Sequence, residues 1–358
     1  MSGWPDAADV DSIVAVKFGL LGDLLLADPA LAALRARYPR ARLSLLTDAE
    51  RHAAWLRSGT VDEIQTVFIG VHRPTYRRLY DPRLWRDVLA LRRRPPASLA
   101  VFLNDTLGPY QRRLFASLAR AVRARWRVGV RTSETAYLTG GPALDELAGL
   151  HETERGWRIA GGSGAAPLPR LPEADPAAAA RVAAARDRVR PRVTVALQPR
   201  TAKPAKQWPL TSFVELARRL VEGSGALVVL AGSAEEAEAA EAFRPLGDRV
   251  LETFGQPIAG LVATLRACDA YVGLDSGPFH VAVAAGRPAV VLVGPGDAKY
   301  YRYPRPGVRS LRRCVQASGD GECPLYLSCR DPRCLPSVTV DEVLAALAEL
   351  RVTEKARP

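Results

Sequence analysis

Asp275-Ser276-Gly277-Pro278-Phe279-His280 stands between two apolar runs, Ala270-Tyr271-Val272-Gly273-Leu274 before it and Pro288-Ala289-Val290-Val291-Leu292-Val293-Gly294-Pro295 after it. A strand, a sharp polar turn, a short helix and a second strand make a βα crossover of a parallel sheet. In such sheets ligands gather at the carboxyl ends of the strands. Ser276 and Gly277 put backbone N–H groups at a helix N-terminus, where the helix dipole favours an anion. Asp275 and His280 frame that position. The stretch therefore predicts an anion site with a diphosphate-bearing donor as its ligand.

Working outward, the same alternation fills the second half of the chain. Strands are expected at Val193–Leu197, Ala226–Ala231, Val250–Leu251, Ala270–Leu274 and Ala289–Val293, with helices at Leu210–Glu222, Ala234–Phe243, Ile258–Ala267 and Pro278–Ala285. An amphipathic helix, Val338–Leu350, closes the chain. In the first half, strands are expected at Ile13–Phe18, Arg42–Thr47, Gln65–Ile69, Leu99–Asn104 and Arg127–Val130. Helical patterns follow the first of them in Leu24, Leu25, Ala27, Leu31 and Leu34, and recur at Pro82–Arg92 and Gln111–Arg123. Gly161 to Pro176, rich in Gly, Ala and Pro, reads as a linker leading into a helix at Ala177–Val189. The expected organisation is a doubly wound α/β domain over 1–165, a linker and helix over 166–191, and a second α/β domain over 192–358. Two similar halves joined by a linker place the ligand cleft between them.

The chain has 358 residues, 48% of them hydrophobic, enough for two cores at roughly 100–200 residues per domain. No apolar run approaches the ~18 residues of a membrane span. Met1 to Ser12 lacks the basic-then-apolar order of a secretory signal, so a cytoplasmic protein with at most peripheral membrane contact is expected. The net charge is +12. A basic surface suits an anionic partner such as a nucleotide sugar, an acidic glycolipid or nucleic acid. The plainer alternative is composition, because Arg, Ala, Gly and Pro are abundant together; Arg92-Arg93-Arg94 and Arg112-Arg113 then read as solvated faces. No helix-turn-helix, RNP-type or zinc-finger spacing supports nucleic acid.

Three segments bear on one site. In Lys17-Phe18-Gly19-Leu20-Leu21-Gly22-Asp23, Gly19 and Gly22 let the backbone turn sharply after a strand and approach a ligand. Asp23, at the start of the following helix, is placed to take a proton from an attacking hydroxyl; its plain alternative is a helix-start carboxylate without a chemical role. Gln198-Pro199-Arg200-Thr201-Ala202-Lys203-Pro204-Ala205-Lys206-Gln207-Trp208-Pro209 follows a strand, and Pro209 suits the first turn of a helix. There Thr201 offers a donor to a phosphate oxygen and Lys206 a point charge against developing diphosphate, or the segment is an ordinary basic loop. Gly232-Ser233-Ala234-Glu235-Glu236 also follows a strand, and its carboxylates suit ribose hydroxyls or a solvated first turn.

This set resembles the ADP-heptose-dependent heptosyltransferases of glycosyltransferase family nine. Leu21-Gly22-Asp23 with Pro29-Ala30-Leu31-Ala32-Ala33-Leu34-Arg35 is similar to the family's opening turn and Leu-rich helix. Lys206-Gln207-Trp208-Pro209 is similar to its K-x-W-P, and Asp275–His280 to its D-S/T-G-x-x-H. Gly294-Pro295-Gly296-Asp297 stands where the family has G-P-T-D. The resemblance implies a GT-B fold of two Rossmann-like domains and an inverting transfer of heptose from ADP-heptose to an acceptor hydroxyl, with no metal or other cofactor in the transfer step. It implies Asp23 as general base; Lys206 and Thr201, with Ser276 and Gly277, on the donor diphosphate; Asp275 and His280 on the heptose or its phosphates; and Glu236 or Glu235 on the adenosine ribose. The loop from Gln198 is one residue longer than in some relatives, and Arg200 takes a place often held by Gly or Thr. The acceptor, a glycan, a natural product or a protein hydroxyl, is left open, since Val71–Tyr80 and Asn104–Gln111 match no pattern. A transferase using another nucleotide sugar, or a non-catalytic scaffold of the same fold, is the rival reading.

Cys268 ends a helix beside a strand and reads as an apolar filler. Cys314, Cys323, Cys329 and Cys334 crowd into one Pro-rich segment, 314–334. Four cysteines in a cytoplasmic chain favour a metal over disulfides, yet the C-x₂-C pairs that mark such sites are missing. Some family relatives that glycosylate proteins carry a four-Cys iron site in this region. A structural zinc or iron ion, free thiols and disulfides all stay open, and any metal would brace the loop.

Overall fold

The strands of this chain are short and apolar on both faces, as in Leu99-Ala100-Val101-Phe102 and Leu227-Val228-Val229-Leu230, every residue of which is buried. Such runs suit parallel sheets covered by helices on both sides. The computed structural model describes residues 4–48, 53, 55–56, 59–69, 81–104, 109–294, 296, 298–312, 333–350 and 352. The chain divides into two units, Met1–Arg170 and Leu171–Pro358.

The first unit is built from β1 (Ser12–Val16), α1 (Leu21–Arg37), β2 (Arg42–Thr47), β3 (Glu63–Thr66), α2 (Pro82–Arg93), β4 (Leu99–Phe102), α3 (Pro109–Val122), β5 (Trp126–Val128) and α4 (Glu152–Ile159). Its strands are parallel in the order β3-β2-β1-β4-β5. Alternation along β1 sends Ile13 and Ala15 into one core and Val14 and Val16 into the other. α1 packs on α4, with Ala30 beside Gly156. The Asp28 carboxylate, buried in α1, accepts from the Arg170 backbone N–H at 2.7 Å and from its guanidinium Nη2 at 2.9 Å and Nε at 3.2 Å. That anchor ties Arg170, the last residue of the first unit, to α1.

The second unit comprises α5 (Pro176–Val189), β6 (Thr194–Gln198), α6 (Leu210–Ser224), β7 (Leu227–Leu230), β8 (Val250–Glu252), α7 (Ile258–Ala267), β9 (Ala270–Leu274), α8 (Gly277–Ala284), β10 (Ala289–Val293), α9 (Ala298–Tyr301), β11 (Val308–Arg312) and α10 (Val340–Glu349). The parallel order β11-β10-β9-β6-β7-β8 is the doubly wound order, reversing between β6 and β9. α5 lies against α7 within this unit, although the sequence assigns it to a separate linker segment. Asp175 caps it, accepting from the Ala177 N–H at 2.9 Å with Pro176 at the first helical position.

Several elements differ from the sequence reading, among them α9, which it does not contain, and β3, at Glu63–Thr66 where Gln65–Ile69 is expected. Ala234–Arg249 winds as 3₁₀ turns where an α-helix is expected over Ala234–Phe243, with a break at Gly247 and Pro245 inside. β11 escapes the pattern because Arg309 and Arg312 interrupt its apolar residues, as an edge strand permits. α4 is missed because its buried residues include Glu152, Thr153 and Arg155.

Candidate active site

In the second unit the turns leaving β6 and β9 meet at the reversal of strand order. The β6 turn carries the lysine loop. Trp208 is fully buried, donates its Nε1–H to the Val338 carbonyl at 2.9 Å and packs edge-on against Phe213 at 4.7 Å. It anchors a 3₁₀ turn, Pro204–Lys206, whose last residue is the lysine. The Lys206 ammonium reaches the β9 turn, pairing with the Asp275 carboxylate and donating to the Asp275 carbonyl at 3.3 Å. Both side chains are buried, at 8% and 7% exposure, so each charge compensates the other away from water. Gly296 packs closely on this pair: a Cβ there would lie 3.2 Å from Asp275 Oδ2.

After Asp275 the chain enters α8 through Ser276, in the cap position and extended. No side chain caps this helix, and Pro278 takes a position where it has no N–H to leave unsatisfied. The Ser276 hydroxyl instead donates to Gln198 Oε1 at 2.7 Å, which also accepts from the Tyr271 hydroxyl at 2.6 Å. Burial pushes the Tyr271 hydroxyl well above its usual range, and the charges of Glu236 and Asp275 push it further. His280 Nδ1 lies 2.9 Å from the Tyr303 hydroxyl, itself raised by burial and by Asp275.

The remaining residues of the lysine loop surround these groups. Arg200 Nε and Gln207 Oε1 are buried without hydrogen-bond partners among the described residues, while the Gln207 amide donates to the Thr201 carbonyl. Two orphaned polar atoms on one loop are what a polar ligand or water would satisfy. Past β7, Glu236 accepts from the Ser233 N–H at 3.0 Å, closing a capping box. Burial raises its pKa, and Glu235 beside it, which is exposed, adds to the shift.

In the first unit the strand order reverses between β1 and β4, and the Asp23 turn leaves β1 there. Asn104, just past β4, clamps the turn: its Oδ1 accepts from the Phe18 N–H at 2.7 Å and its Nδ2 donates to the Phe18 carbonyl at 3.1 Å. Asp48, past β2, accepts from the Gly19 N–H at 3.0 Å. Gly19 has φ +139°, and a Cβ on it would fall 2.4 Å from Asp23 Cγ, so the turn wraps the carboxylate closely. Gly22 differs from expectation. It lies buried inside α1, which begins at Leu21, and the sharp turn rests on Gly19. Asp23 is half-buried; its Oδ2 accepts from the Leu20 N–H at 3.0 Å and its Oδ1 has no partner among the described residues.

The structure thus joins Lys206, Asp275, Ser276 and Gly277 at one point of the second unit, and holds Asp23 with Gly19 in the first. Gln198, Tyr271, Asn104 and Asp48 were not singled out from the sequence. Gln198 and Asn104 had one available signal, an amide side chain at the carboxyl end of a strand. Val71–Tyr80, Pro295, Asp297, Cys314, Cys323 and Cys329 lie outside the described residues. Cys334 is buried before a 3₁₀ turn, its carbonyl accepting from the Ser337 hydroxyl at 2.7 Å. Cys268 is buried, as expected, with its thiol against the Thr264 carbonyl and its pKa pushed up to about 12 by burial.

Two doubly wound units with polar turns at both reversals of strand order fit the two Rossmann-like domains of a GT-B protein. Residues 115–319 match glycosyltransferase family 9 (heptosyltransferase), and the chain belongs to that family. It is 37% identical over 103 residues to lipopolysaccharide heptosyltransferase 2 of Escherichia coli K12, a match covering 27% of this chain and 29% of the relative. The matched segment is therefore under a third of that relative's length. Over the whole fold, the chain resembles the structure of E. coli ADP-heptose LPS heptosyltransferase II, with TM-score 0.67 and 22% identity over 96% of this chain and 99% of that one. It also resembles a family 9 glycosyl transferase of Veillonella parvula DSM 2008, with TM-score 0.73 and 17% identity over 98% and 99%. No helix among the described residues is long and apolar enough to cross a membrane.

Proposed function

We propose that this protein is an inverting heptosyltransferase that moves heptose from ADP-heptose to the hydroxyl of an acceptor glycan. The observation that carries the reading is the buried Lys206–Asp275 pair beside the uncapped N-terminus of α8, where a lysine ammonium and helix N–H groups stand together. Family membership and the relatives' printed names support ADP-heptose as donor and a lipopolysaccharide as acceptor. In the reaction the acceptor oxygen attacks the anomeric carbon as the bond to the diphosphate oxygen breaks, ADP leaves, and the hydroxyl proton passes to Asp23. Charge growing on the leaving diphosphate is met by Lys206 and the helix dipole, the work a divalent ion does elsewhere. Arg200 and Thr201 complete the diphosphate contacts, His280 faces the sugar, and Glu236 takes the ribose hydroxyls.

Asp23→Asn tests the base directly, because the amide oxygen still accepts from the Leu20 N–H while proton uptake is lost. The expected outcome is ADP binding within about twofold of wild type, by calorimetry, with turnover lowered by about 10²–10⁴-fold. Wild-type turnover in Asp23→Asn removes the assignment. Mass spectrometry of the product formed from ADP-heptose and deep-truncated lipopolysaccharide tests the substrates.

The segment carrying Cys314, Cys323, Cys329 and Cys334 is proposed to hold a structural zinc or iron ion. The support is the thiol donor set, which suits both metals. Elemental analysis of the purified protein is expected to find about one equivalent, released on chelation with loss of thermal stability; metal-free protein of unchanged stability refutes it.

A further inference from the structure

The hydroxyl of Ser276 stands in the cap position of α8 without capping it. A serine there ordinarily turns its oxygen onto the first free N–H groups of the helix. Here the hydroxyl is committed elsewhere, and the hydrogen-bond chemistry fixes the direction of every proton. Gln198 places Nε2 2.9 Å from the Arg200 carbonyl, which accepts only, so this atom is the amide nitrogen. Its Oε1 therefore faces the two hydroxyls, and both Tyr271 and Ser276 must donate to it. Gln198 and Tyr271 are buried, at 2% and 0% exposure, so neither can exchange these bonds for water.

The backbone is shaped to allow this. Gly273 pairs with Gln198 across β9 and β6, and a Cβ on it would lie 2.2 Å from the Tyr271 hydroxyl and 2.9 Å from Gln198 Cβ. The missing side chain lets the tyrosine ring run along its strand to the amide. Glycine, tyrosine, glutamine and serine act as one device.

We infer that Gln198, held by Tyr271 and admitted by Gly273, is a positioning residue that draws the Ser276 hydroxyl off α8 and so keeps the helix N-terminus open for the donor diphosphate. The inference rests on the donor reading above and deepens it. Released from Gln198, the serine would cap its own helix and its oxygen would compete with the first phosphate oxygen.

The test measures ADP binding to the full-length protein by calorimetry for wild type, Gln198→Leu, and Gln198→Leu with Ser276→Ala. Gln198→Leu is expected to weaken ADP by about 5–20-fold, and the double variant to recover to within about threefold of wild type, because alanine keeps the backbone N–H that Ser276 offers the diphosphate while no hydroxyl is left to compete. A purely structural role for Gln198 predicts the opposite, a double variant at least as weak as the single one. That result, or an unchanged affinity in Gln198→Leu, overturns the inference while leaving the donor reading standing. Wild-type protein that binds neither ADP nor inorganic pyrophosphate overturns both. Gln198→Asn, an amide one methylene too short to reach Ser276, is the second variant if the leucine does not fold, with the same expected pattern.

Discussion

Lys206 and Asp275 sit in adjacent turns, both buried and both charged, and neither is tolerable there without the other. Replacing Lys206 with Ala removes the positive charge from the diphosphate and strands a buried carboxylate. Stability is expected to fall by about 3–5 kcal/mol in urea titration. Turnover should fall by about 10²–10³-fold, the usual scale for losing one preorganised charge or donor. Adding Asp275→Asn to Lys206→Ala removes the stranded charge, so stability should largely return while turnover stays low. Recovery of both would show that the lysine acts only through folding. Ser276 teaches a different lesson at this scale: a residue type that predicts a helix cap is present at the cap position, and a neighbouring amide redirects it.

Several helices of this chain are started and stopped by local chemistry. Asp81 with Pro82 and Asp175 with Pro176 begin α2 and α5, and Thr339 with Glu342 closes a capping box on α10. α6 ends on Gly225 at φ +61°, the left-handed position that suits glycine. α5 ends on Arg190 at φ +45°, the same conformation borne by a residue with a Cβ. Arg190→Gly is therefore expected to stabilise the protein by about 0.5–1 kcal/mol, read as a higher urea midpoint. The 3₁₀ winding of Ala234–Arg249 goes against its Ala- and Glu-rich composition, which favours an α-helix in isolation. α5 and α6 pack against this segment, and tertiary contact outweighs propensity.

Over the whole molecule the two units each have their own sheet and cores. The first is closed by the grip of Asp28 on Arg170, a contact between residues far apart in sequence. Asp28→Ala deletes three hydrogen bonds from Arg170 and leaves Thr60 without its acceptor at this helix. The expected cost is about 2–3 kcal/mol, discounted because the guanidinium can return to water. Because only the first unit bears the loss, denaturation should split into two transitions, the earlier one reporting the first unit. A single shifted transition would mean that the units unfold together.

Parallel strands, their alternation with helices and the glycine and aspartate turns were legible in the sequence because local chemistry decides them. Apolar runs need cover on both faces, and sharp turns need residues free of Cβ constraint, wherever they fold. Asp23, Lys206, Asp275 and Ser276 stood out as polar residues at strand ends, flanked by such signals. The clamp of Asn104 on Phe18, the pairing of Lys206 with Asp275 and the diversion of Ser276 by Gln198 were not legible. Each joins groups from separate segments of the chain, brought together only where the strand order reverses. The amino-acid order determined two doubly wound units and the loops that carry polar groups. Tertiary structure alone decided which of those groups touch, because hydrogen-bond partners are chosen by distance in the folded chain and not by spacing along it.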